Sequence, residues 1–140
     1  MDIYREEILE HWQNPQNYGV ISHADLVVNQ INPLCGDEVT FYFKISRVSH
    51  PRGVKAHPGG VPAKGKSAMI RDVSFTGSGC AISTASASIL SEEIRGKSVE
   101  SVGKLTGQDV LSLIGGPVAP ARLKCAFLAL EAIRKLKVEN

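Results

Sequence analysis

Strand patterns in the middle of the chain, with helical patterns before and after them, predict an α+β fold for this 140-residue sequence. Three observations carry the expectation. Residues 38–45 alternate strictly, with Val39, Phe41, Phe43 and Ile45 on one face and Thr40, Tyr42 and Lys44 on the other. Residues 26–31 and 68–75 read as further strands. Helical spacing governs the first dozen residues and much of the chain after Cys80. At this length one domain, residues 1–140, buries a sufficient core without disulfides.

Taken in order, Ile3, Ile8 and Trp12 form the stripe of an amphipathic helix that ends before Asn14-Pro15. Trp12 is expected to be a core or surface-packing anchor. His11 and His23 lack ligand spacing and are expected to be structural or exposed. The first strand leads into Asn32-Pro33-Leu34-Cys35-Gly36-Asp37, where Pro33 disfavours helix and Gly36 permits a sharp turn. Residues 47–67 hold three prolines, four glycines, five Lys or Arg and no acid, a composition that predicts a flexible basic flap. His50 and His57 belong to it and are expected to be solvated.

After the third strand, Gly77-Ser78-Gly79-Cys80 permits a tight turn into an Ala/Ser-rich helix that Gly96 ends. Cys80 falls at the start of that helix, where unsatisfied N–H groups and the dipole favour an anionic ligand. A short helix is expected over 107–114, and a last one from Pro120, with Leu123, Phe127, Leu130 and Ile133 as its core face and Cys125 in its second turn.

Composition narrows the function. A net charge of +2 is too small to argue for nucleic acid, and no apolar run is long enough to span a bilayer. Three cysteines do not make a disulfide framework, so the expected setting is the cytoplasm and the expected chemistry is metal or sulfur. Cys35, Cys80 and Cys125 supply soft thiolates and Asp37 one hard oxygen, four ligands for a zinc ion or an iron–sulfur core. The carboxylate is the weakest partner for a soft centre, which suits a site that loads and unloads. Lys124 and Arg122 are placed to offset the negative charge. Against this stands a plain reading, in which Cys125 is a small core residue and Asp37 shapes a turn. Gaps of 45 residues on either side of Cys80 match no zinc-finger spacing, so any convergence must come from the fold.

Four segments resemble the NifU N-terminal, or IscU/SufU, family of iron–sulfur cluster assembly scaffolds. They are the opening stretch from Tyr4 through His11-Trp12-Gln13-Asn14-Pro15-Gln16-Asn17-Tyr18-Gly19, the loop Asn32-Pro33-Leu34-Cys35-Gly36-Asp37, the run Gly79-Cys80-Ala81-Ile82-Ser83-Thr84-Ala85-Ser86, and Pro120-Ala121-Arg122-Leu123-Lys124-Cys125-Ala126. The resemblance implies a small, mostly antiparallel three-stranded sheet with helices packed on it. It implies Cys35, Asp37, Cys80 and Cys125 as ligands of a transient [2Fe–2S] cluster or of zinc. It also implies a cysteine desulfurase as sulfur donor and apo iron–sulfur proteins as acceptors.

Lys124 stands where IscU-type members carry histidine, and the serine-rich helix after Cys80 is closer to SufU-type members. Val118-Ala119-Pro120-Ala121-Arg122 matches the Leu-Pro-Pro-Val-Lys chaperone segment poorly, which argues against a dedicated Hsp70 partner. A homo-oligomer is left open. Three functions compete: a scaffold that takes persulfide on Cys125 or Cys35, builds a cluster and passes it on; a zinc-dependent sulfurtransferase partner that accepts persulfide by ligand exchange and builds no cluster; and a hydrolase with Cys80 as nucleophile. The hydrolase lacks a histidine near its cysteine motif. A flap without core residues makes one outcome checkable here: deletion within 47–67 leaves circular dichroism and metal content unchanged, and an unfolded product would make the segment part of the core.

Overall fold

The computed structural model describes residues 3–33, 36–48 and 67–136. Its elements run α1 (Ile3–Gln13), β1 (Leu26–Ile31), β2 (Glu38–Val48), β3 (Ser67–Ser78), α2 (Ala81–Ile94), α3 (Val99–Val102), α4 (Gly107–Leu113), a 3-10 turn over Pro120–Arg122, and α5 (Leu123–Arg134). The three strands form one antiparallel sheet in the order β1-β2-β3. The predicted fold class holds, and the strands bounding 47–67 reach further in than expected, to Val48 and from Ser67. The rest of that segment, with His50 and His57, lies outside the described residues.

One face of the sheet makes the core. Val39, Phe41 and Phe43 of β2 are buried as the alternation requires, and Phe75 of β3 lies against Phe41 with ring centroids 5.7 Å apart. In β3 the alternation is broken: Ile70 and Val73, three residues apart, are both buried. A register shift between Lys44 and Ile45 supplies the extra residue, since Lys44 pairs with Asp72 and Ile45 with Ile70. The bulge therefore returns β3 to the core face.

Helices α2 and α5 cover that face with Leu90, Ile94, Leu128, Ala129 and Ile133. Residues 85–91 of α2 are buried without interruption, so this helix has covered sides all round and not a single packing face. Ala and Ser at those positions let its neighbours approach closely. The serines also hold the N-terminal segment in place. Ser88 Oγ lies 2.7 Å from His11 Nδ1 and accepts from the Gln16 N–H, and Ser91 Oγ accepts from Asn17 Nδ2. The face of α1 turned to α2 thus carries Ile8 and His11, and Trp12 stands at the surface, 45% exposed, in the surface-packing and not the core role.

The turn after α1 then covers the outer edge of β3. Asn17 adopts a left-handed φ of 57°, its carbonyl accepts from Phe75 N–H, and Gly19 N–H donates to the Phe75 carbonyl. An edge strand that would otherwise offer unpaired groups is thereby closed at its centre. Gly96, at φ 83°, ends α2 as expected, and its N–H donates to the Ile70 carbonyl. The buried face of α5 is wider than the expected stripe: Cys125, Ala126, Leu128, Ala129 and Ala132 are buried, and Leu123 and Phe127 only partly. Helix α3, capped by Ser98, has no counterpart in the sequence reading.

Gly77 marks the tightest approach in the sheet, since a Cβ there would meet the Glu38 carbonyl oxygen at 2.3 Å. Gly77→Ala should therefore lower stability by about 1–3 kcal/mol, the range for overpacking. Urea denaturation of the two proteins measures it.

Candidate metal centre

The first candidate ligand loop is pinched at its base. Asn32 N–H donates to the Asp37 carbonyl, and the Asn32 carbonyl accepts from Gly36 N–H, each at 2.8 Å. Gly36 takes a φ of 77°, the conformation for which its lack of a side chain suits it. The closed loop turns the Asp37 side chain inward, where it is 7% exposed. Leu34 and Cys35 lie outside the described residues.

The sheet brings the second loop to the first. Glu38 pairs with Ser78 at the end of the β2–β3 ladder, so Asp37 and Gly79 meet just beyond it. A Cβ on Gly79 would come within 3.0 Å of Asp37 Cγ, so glycine is what lets the carboxylate and the chain turn lie together. Cys80 follows as the N-cap of α2, in extended conformation and with no cap bond from its side chain. Its sulfur faces the cluster, partly buried. The third candidate ligand comes from α5, which packs along α2 and places Cys125 opposite, 5% exposed.

The donor atoms of Asp37, Cys80 and Cys125 all lie within 4.8 Å of one another. Cys80 and Cys125 are not disulfide-bonded. A tetrahedral zinc with bonds of about 2.0–2.3 Å holds its donors roughly 3.5–3.8 Å apart, so the set needs to contract by roughly 1.3 Å at most. Two thiols and a carboxylate fit a borderline-soft ion or an iron–sulfur core, with one position left for a further ligand.

Ser83 is a fourth member of the cluster that the sequence reading missed. It lies in the first turn of α2, 6% exposed, and its hydroxyl donates to Asp37 Oδ2 at 2.6 Å. Ser83 Oγ is also 3.6 Å from Cys80 Sγ. The available signal was the spacing Cys-x-x-Ser across a helix start, which puts the third residue beside the cap.

Lys124 and Arg122 lie at the beginning of α5 with exposed side chains, close in sequence to Cys125 and on the solvent side. His11 is taken up by Ser88, near Glu7 and Glu92, and His23 is exposed with a φ of 60°. Both occupy the structural or exposed places expected of them.

Comparison with known proteins follows the same outline. The family described as the NifU-like N terminal domain matches residues 3–51 and 61–138. The chain is 31% identical to "Iron-sulfur cluster assembly scaffold protein IscU 1" of Archaeoglobus fulgidus, over 98% of this chain and 76% of that protein. It is also 31% identical to "Zinc-dependent sulfurtransferase SufU" of Bacillus subtilis, over 95% of this chain and 88% of the relative. Among solved structures, a candidate SUF-system scaffold from Fervidobacterium islandicum AW-1 aligns with a TM-score of 0.63 at 26% identity, covering 93% of each chain. A NifU-like N-terminal structure from Brucella abortus shares the fold, with a TM-score of 0.65 at 21% identity over 96% of this chain and 91% of that one. This chain belongs to the NifU-like N terminal domain family.

Proposed function

We propose that the protein is an iron–sulfur cluster assembly scaffold whose cargo is held by Cys35, Asp37, Cys80 and Cys125. One observation carries the reading: three segments far apart in sequence deliver two sulfurs and a carboxylate to a single spot, within 4.8 Å. A turn-shaping Asp37 and an inert Cys125 give no reason for that meeting. Similarity to proteins named IscU and SufU supports the same use of the site. Sulfur is received from a cysteine desulfurase. A thiolate of Cys125 or Cys35 attacks the outer sulfur of the donor's persulfide, forms the new S–S bond and releases the donor's own thiolate. The assembled [2Fe–2S] unit then passes to apo-proteins in the cytoplasm. In this reading the protein is a carrier and not a turnover enzyme. Lys124 and Arg122 lessen the cost of gathering three thiolates and a carboxylate.

A second reading is specifically favoured by the donor set and by the SufU relative: zinc rests in the site, and the protein relays sulfur without building a cluster. Anaerobic incubation with iron and sulfide separates the two, because visible charge-transfer absorption develops only where a cluster forms.

Single substitutions test the shared site. Cys35→Ser, Cys80→Ser and Cys125→Ser should each lower bound metal from one centre per chain, read by elemental analysis, and full occupancy in all three variants would sink the ligand set. Asp37→Ala should act differently. Three thiolates remain, the most displaceable ligand is gone, and a loaded cluster should reach an apo-acceptor about tenfold more slowly than from wild type, the scale on which changes around metal ligands act. Equal or faster anaerobic transfer from the variant contradicts a labile Asp37.

A further inference from the structure

We propose that Ser83 is a positioning residue that makes Asp37 a releasable ligand, by holding its carboxylate in the released state. The inference rests on the ligand set proposed above. Three features carry it. The Ser83 hydroxyl has one hydrogen to give, and it gives it to Asp37 Oδ2 over 2.6 Å. Both groups are buried, 6% and 7% exposed, so bulk water is a poor substitute for that bond. The position is also fixed from three directions: Ser83 by the first turn of α2, Asp37 by the pinched loop, and the room beside the carboxylate by Gly79, where a Cβ would stand 3.0 Å from Asp37 Cγ.

The direction of the effect follows from charge. A carboxylate that ligates a cation shares its negative charge with the ion. Once released, it carries the whole charge and accepts hydrogen bonds more strongly. Ser83 therefore stabilises the released carboxylate more than the ligated one, in a place where solvent cannot do so. With Oδ2 engaged, ligation through the other oxygen is favoured, and a ligand held by one oxygen exchanges more readily than one held by two. The hydroxyl also lies 3.6 Å from Cys80 Sγ, within the same group of side chains.

Zinc is the probe for the test. Wild type, Ser83→Ala and Ser83→Thr are loaded with one equivalent, and release to an excess of chromophoric chelator is followed with folding checked by circular dichroism. Ser83→Ala should bind the same amount of zinc and release it about fivefold more slowly, the scale expected from one charge-assisted hydrogen bond. Ser83→Thr, which keeps the hydroxyl, should release at the wild-type rate. In an Asp37→Ala background the Ser83→Ala change should have no further effect, because Ser83 acts through the carboxylate. That double variant also removes the buried carboxylate itself, so it reports even if Ser83→Ala alone folds poorly. Unchanged or faster release at full stoichiometry, or an undiminished Ser83→Ala effect without Asp37, overturns the Ser83 role alone. Wild type that holds no zinc overturns the ligand set, and this role with it.

Discussion

The pairing of Glu38 with Ser78 is the constraint on which the site depends. Asp37 is the residue just before that pair, and Gly79 and Cys80 are the residues just after it. A slip of one residue along the ladder would carry the loops apart and turn the strand faces over. The register is held by the core. Phe41, Phe43 and Phe75 are buried to within 2%, and each contributes about 1.5–3 kcal/mol by leaving water. Exposing all three in a slipped register would cost as much as the whole stability of many domains. The site is thus positioned by aromatic burial a few residues away, and Gly77 permits the close crossing at its entrance.

Helix α2 transmits that placement to Cys125. Its small residues admit α5 on one side and the sheet on another, and the hydroxyls of Ser88 and Ser91 bind the N-terminal segment from a third. A larger side chain at these positions would force α5 outward and Cys125 with it. The Ala/Ser composition therefore serves the geometry of the centre as well as helix packing. Ser86, with its buried Oγ unpaired among the described residues, keeps the small volume and makes no such bond.

What could be read from the sequence divides along physical lines. Alternation in β2, the bounds of β1, the end of α2 at Gly96 and the start of the last helix near Pro120 are local signals, and each is found where expected. The bulge at Lys44/Ile45 is a single extra residue inside an otherwise strand-like run, and nothing in the composition of β3 announces it. The serine bonds of α2 join residues 72 to 77 apart, beyond the reach of any periodicity. Convergence of the ligands was likewise invisible in their even spacing. It became an expectation through resemblance, and Asp37, Cys80 and Cys125 do meet. Ser83 is marked only by its Cys-x-x-Ser spacing from Cys80, a weak signal in a helix full of serines.

The arrangement also accounts for where this chain departs from its family. The family match omits residues 52–60, within the basic, glycine- and proline-rich stretch between β2 and β3. The ends that bound this stretch, Val48 and Ser67, pair with each other at the opposite end of the ladder from Glu38 and Ser78. The eleven residues of β2 span the distance between the two ends, ten steps of about 3.3 Å or roughly 33 Å. Added length at that point leaves the register next to the ligands untouched. The connection 49–66 has 18 residues, of which the unmatched 52–60 are nine, so the addition doubles its length. The same nine residues placed at 32–37 would undo the pinch at Asn32 that turns Asp37 inward. The sheet tolerates variation at one end because the other end is where the donor atoms must meet.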